Sequence, residues 1–115
     1  MRVKTEIWVM AYIRRCFGEG IPALVVRRGN AEAGAVYIKV NLLEGHVGLY
    51  GPAPAGFDAD DGNRRWIVLL GESAVPESDA DAYLERQSEF DPDFWVVEVE
   101  DRQGRHFLGT NLITV

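Results

Sequence analysis

Five side chains spread over the first two thirds of the chain share a chemistry: Arg27, Tyr37, Lys39, Tyr50 and Arg65. Guanidinium and ammonium groups form charge-assisted hydrogen bonds to carboxylates or phosphates, and phenol rings stack against the body of such a ligand. They act together only if one surface presents them. Successive strand residues point to opposite faces, so Arg27 and Arg28 cannot both serve one sheet face. Pairing Gly29 with Ala35 places Val26 across from Ile38 and Leu24 across from Val40. A two-residue turn at Glu44-Gly45 then sets Leu49 against Val40 and Tyr50 against Lys39. The expected outward face holds Val25, Arg27, Tyr37, Lys39, His46 and Tyr50, with Arg65 joining from the next strand. The plainer reading is a solvated face, with Glu98 and Glu100 in cross-strand ion pairs worth under about 1 kcal/mol each. The functional reading is a site for an anionic small molecule, with Glu98 or Glu100 available as a base.

Other chemistries find little support. "GEGIPA" (Gly18 to Ala23) has the letters of a dinucleotide fingerprint, but it follows a helix and precedes a strand. Pyrophosphate recognition needs the reverse order, a strand feeding a helix N-terminus. "DADDGN" (Asp58 to Asn63) has its glycine one residue early for a calcium loop and no closing Glu, so it reads as a solvated acidic loop. Cys16, His46 and His106 lack metal-ligand spacing, and Cys16 lies on the core side of a helix. No catalytic residue, metal or cofactor is assigned.

These residues need elements to hold them. Residues 5–18 read as a helix, with Val9, Tyr12, Ile13, Cys16 and Phe17 on its core side, Thr5 as N-cap and Gly20 as stop. Its other side carries Ile7, Trp8, Ala11 and Arg15. A helix apolar on two sides is either sandwiched in the core or covered by a partner, so these four are the expected interface. Trp8 is the tryptophan least suited to remain wet.

Strands are expected at 23–28, 35–42, 46–51 and 65–71, with a long loop from Gly51 to Asn63. "SDADAYLERQSEF" forms the second helix, capped by Ser78, with Ala80, Tyr83, Leu84, Gln87 and Phe90 as its apolar stripe. "FWVVEVE" (94–100) is a strong strand, and a short one follows near His106 to Leu108. The order α-β-β-β-β-α-β-β implies an α+β fold. Its mostly antiparallel sheet has about five to six strands, with both helices packed on one face.

At 115 residues and 47% apolar composition, one domain over residues 1–115 is expected, with a core sufficient without disulfides or metals. A lone cysteine fits a reducing, cytoplasmic location. No run of 18 apolar residues spans a membrane. The net charge of -6 is uneven. Residues 1–39 carry seven basic and three acidic side chains, and residues 40–115 five and fifteen. This argues against nucleic-acid binding and favours self-association through opposite fields.

The stretches "VVRRGNAEAGAVYIKV" and "FDPDFWVVEVEDRQGRHFL", with "EIWVMAYIRRC" and "LYGPAP", resemble domain-of-unknown-function family 1491, small proteins mostly of alphaproteobacteria. The resemblance covers nearly the whole chain. It implies a bacterial, cytosolic, stand-alone domain and carries over no catalytic residue. The leading expectation is a non-enzymatic binding or interaction module that forms a homo-oligomer, most simply a dimer. The alternative is a small enzyme or sensor for an anionic metabolite.

Overall fold

Two stretches are apolar at consecutive positions, Ala35 to Ile38 and Phe94 to Val97. A strand apolar on both faces is stable only in a sheet covered on both sides. The computed structural model, which describes residues 3–57 and 63–115, is built that way. Its strands are β1 (Ala23–Arg27), β2 (Val36–Leu43), β3 (His46–Pro52), β4 (Trp66–Val68), β5 (Val75–Pro76) and β6 (Trp95–Glu100). Its helices are α1 (Thr5–Gly18) and α2 (Glu77–Ser88), and a 3₁₀ turn covers Gly109–Asn111. Residues 58–62 of the calcium-like stretch lie outside the described residues.

The six strands form one sheet in the order β1-β6-β2-β3-β4, with β5 also pairing β3. The class is α+β and the sheet mostly antiparallel, as expected. The arrangement within it differs. β1 does not form a hairpin with β2. β6 lies between them, antiparallel to β1 and parallel to β2. The physical reason is the double-faced apolarity of β6, which is best satisfied in the interior of the sheet.

For the same reason the helices lie on opposite faces, not one. Val9, Tyr12 and Cys16 of α1 pack on Val36, Ile38, Val40, Trp95, Val97 and Val99. On the other face Ala80, Tyr83 and Leu84 of α2 cover Val47, Leu49, Tyr37, Phe94 and Val96. Each fully buried side chain of this size stabilises by roughly 1.5–3 kcal/mol relative to exposure.

The ends of α1 fall where the sequence places them, but Thr5 opens the helix rather than capping it. Its buried hydroxyl donates to the Gly34 carbonyl at 2.9 Å. The Thr5 and Glu6 amides donate to the Glu32 and Ala31 carbonyls, so a loop satisfies the helix's first donors. At the other end Gly20 adopts φ +75°, a backbone that a side chain resists, and the chain turns into β1.

α2 begins at Glu77, one residue before the expected Ser78 cap. The two-residue β5 in front of it sets the start, since the Glu77 amide donates to the Gly45 carbonyl at 2.9 Å. Phe90 falls beyond the helix and is 81% exposed, so it leaves the core stripe. The strand expected near His106–Leu108 is absent. Phe107 takes φ +55°, and His106 Nδ1 accepts the Leu108 amide at 2.9 Å, closing a compact turn instead.

Candidate functional site

The β2-β3 hairpin decides where the predicted ligand residues go. Leu43, Glu44 and Gly45 all have positive φ, and the Asn41 side chain accepts the Leu43 amide at 2.8 Å. The turn pairs Leu43 with His46, but the register shifts between Asn41 and Leu43, so Tyr50 pairs Ile38 and Leu49 pairs Lys39. A one-residue slip sends every side chain to the other face. Tyr50 therefore faces α1, where it is buried beside His106 with ring centroids 5.2 Å apart. It is not next to Lys39.

Arg27, Tyr37 and Lys39 do share the α2 face, but it is not a solvated one. Tyr37 and Lys39 are buried. The Arg27 guanidinium lies 4.1 Å from the Phe94 ring centroid and donates to the Pro92 carbonyl at 3.0 Å. Phe94 in turn meets Tyr37 edge-on at 5.1 Å. Burial, followed by the neighbouring Tyr83 and Asp91, pushes the Tyr37 pKa up to about 12.

Lys39 Nζ stands 2.7 Å from Glu77, 3.0 Å from Asp81 and 3.5 Å from Glu98. Burial works against its charge, yet the hydrogen bonds to Glu77 and Asp81 and the field of Glu98 hold its pKa above the usual lysine value. An ammonium with three carboxylates has no excess positive charge to offer an anion.

Arg65 lies elsewhere. It donates to Asn111 Oδ1 at 2.7 Å and borders a cleft of about 460 Å³ with Arg64, Trp66, Gly34 and Pro52. The five residues thus divide among three places. Arg28, across the strand from Arg27, pairs with Glu6 and lies over the Trp95 ring.

The expected interface residues fare differently. Ile7, Ala11 and Arg15 are exposed on α1. Trp8 is half-buried, stacked on Tyr12 at 5.1 Å and tilted on Trp66 at 4.7 Å. Trp8, Ala11, Arg15, Phe107 and Asn111 line a groove of about 210 Å³ along the helix.

Ile7 (56% exposed), Met10 (39%) and Phe17 (58%) follow one another along the outer side, with Val3 exposed at its entrance. Sequence reasoning placed Phe17 in the core and passed over Met10. The signal was available: positions 7, 10, 14 and 17 repeat at intervals of three and four, opposite Val9, Tyr12 and Cys16. Arg14 is the one charge in that stripe.

Cys16 is buried, and burial raises its thiol pKa. His106 is pushed below the usual imidazole value by burial. Among the described residues no three His, Cys, Asp or Glu side chains cluster as metal ligands, and no helix is long and apolar enough to cross a membrane.

A family model described as a protein of unknown function, DUF1491, matches residues 3–109. A crystal structure of a DUF1491 family protein from Caulobacter crescentus CB15 is 43% identical, covers 99% of this chain and 100% of its own, and superposes with a TM-score of 0.80. An NMR structure of a DUF1491 family protein from the same organism is 45% identical over 99% of both chains, with a TM-score of 0.79. The solution structure of Atu0922 from A. tumefaciens is 41% identical over 88% of this chain and 87% of its own, with a TM-score of 0.75. No curated protein matches the chain.

Proposed function

The chain belongs to the DUF1491 family, a family of unknown function, and we propose that it is a non-catalytic interaction module that self-associates through the outer side of α1. The observation that carries this reading is the row Ile7, Met10 and Phe17, large apolar side chains left 39–58% exposed on a helix whose opposite side is already buried in the core. Scattered apolar residues on a surface are ordinary, whereas large apolar side chains at helical spacing along one side of a helix, interrupted only by Arg14, have the pattern of a helix-pairing seam. Ala11 flanks the row beside Ile7, while Trp8 and Arg15 lie farther round the helix along the groove shared with Phe107 and Asn111.

We read residues 1–115 as one cytoplasmic domain. The lone buried thiol of Cys16 is in keeping with a reducing compartment. An anionic metabolite bound on the sheet face finds no support. α2 covers that face, and Lys39 is already surrounded by Glu77, Asp81 and Glu98.

Sedimentation velocity over a wide concentration range tests the reading. Wild type is expected to form dimers as concentration rises. Ile7→Glu and Phe17→Glu, folded by circular dichroism, are expected to stay monomeric. A wild type that remains monomeric at millimolar concentration ends the proposal.

A further inference from the structure

Resting on the reading that α1 is the self-association surface, we infer that its occupant is α1 of a second copy, laid antiparallel about a two-fold axis near Met10. The charges on the helix select this orientation. Arg14 sits within the apolar row, Arg15 beside it and Lys4 at the helix entrance, while Glu6 lies in the first turn. A parallel, in-register pair sets Arg14 against its own copy, a like-charge contact in the middle of a seam that water leaves, while Lys4 and Arg15 lie round the helix from the row and fall on opposite flanks from their copies. Antiparallel pairing about Met10 brings Glu6, which holds Arg28 in its own chain, level with Arg14 of the second copy, twice by symmetry, so that each carboxylate bridges two guanidinium groups.

It also brings Ile7 onto the aliphatic stem of that arginine, whose head reaches outward to Glu6. On the other flank Lys4 comes level with Arg15 of the second copy. Glu32, 3.4 Å from the Lys4 ammonium, already offsets that charge. The opposed helix dipoles add to the preference.

An isologous contact of this kind closes at two copies. A basic α1 stacked on the acidic α2 of the next copy would instead propagate. The row from Ile7 to Phe17 is about 15 Å long at 1.5 Å per residue. Such a stripe is well below the roughly 800 Å² per partner of stable complexes, so the dimer is weak, with a dissociation constant on the order of micromolar or above.

Charge exchange tests the orientation. Glu6→Lys and Arg14→Glu are each expected to weaken the dimer at least tenfold by sedimentation, and the double variant to recover to within about threefold of wild type. Arg28→Ala removes the in-chain partner of Glu6, leaves that carboxylate to Arg14 of the second copy, and is expected to keep the dimer at least as tight as wild type. Disulfide trapping gives the register. Met10→Cys should cross-link to itself. Ile7→Cys should not, yet should form a mixed disulfide with Arg14→Cys. If wild type dimerises but Ile7→Cys cross-links to itself, or the double charge variant fails to recover, the antiparallel pairing is wrong and the self-association reading stands. If wild type is monomeric throughout, both fall.

Discussion

Lys39→Met separates the ion cluster under α2 from the packing of its stem. Methionine keeps an unbranched chain of similar length on the sheet and removes only the charge. The substitution deletes hydrogen bonds of 2.7 Å to Glu77 and 3.0 Å to Asp81 and the 3.5 Å contact with Glu98. Each hydrogen bond to a charged group is worth about 1.5–3 kcal/mol net. The Asp81 and Glu77 side chains are 60% and 38% exposed, so both carboxylates rehydrate and their share falls towards that of a surface pair. Glu98 is 22% exposed and retains Asn41 at 3.3 Å.

The sum is a loss of roughly 2–3 kcal/mol, or about 8–12 °C in Tm for a domain of this size. In wild type the raised Lys39 pKa gives stability that is complete below about pH 10.4 and is lost as pH rises through the higher folded value. Urea titrations of both proteins at pH 7 make the measurement. A deficit under about 0.5 kcal/mol refutes the reasoning.

Gly29→Ala would place a Cβ 2.3 Å from the Asp93 carbonyl oxygen and 2.5 Å from the Phe94 carbonyl carbon. Neither can yield, so urea denaturation should show a loss of about 3 kcal/mol or more. Tyr12→Phe removes the 2.6 Å hydrogen bond to the His106 carbonyl and should cost about 1–2 kcal/mol by the same assay. The folded His106 has a depressed pKa, so the unfolded chain binds the proton first. Stability should therefore fall as pH drops below about 6.5 and level off once the folded ring titrates. His106→Asn keeps an acceptor for the Leu108 amide, and denaturation at pH 7.5 and 5.5 should show this pH dependence reduced.

Much of the local structure was legible in the sequence. Apolar residues recurring at helical spacing, closed by Gly20, delimit α1 at the positions observed. Short β-branched runs located β1, β2 and β3 to within a residue or two. The candidate surface on α1 was half legible, in Ile7, Trp8, Ala11 and Arg15. Met10 and Phe17 carried the same periodicity and completed it.

The failed part is the basic and aromatic sheet face. It rested on alternation in β2, where the run Val36, Tyr37, Ile38 has no polar face at all. Phe94 to Val97 repeated the signal. Continuous apolarity in both strands was the mark of a sheet covered twice, and reading one face as wet missed it.

The amino-acid order by itself determined α1, α2, β1, β2, β3 and β6, their limits to within a residue or two, and the class of the fold, because caps, periodicity and turn residues act within a few positions of one another. Only the tertiary structure decided which strands are neighbours and what each face touches. β6 takes the place beside β2 because distant segments compete for the same edge, and no local pattern records the winner. The register between β2 and β3 turned on one extra residue near Leu42. Strand side chains alternate with a period of two, so that single residue moved Tyr50 through the sheet, away from the arginine and lysine it was expected to join.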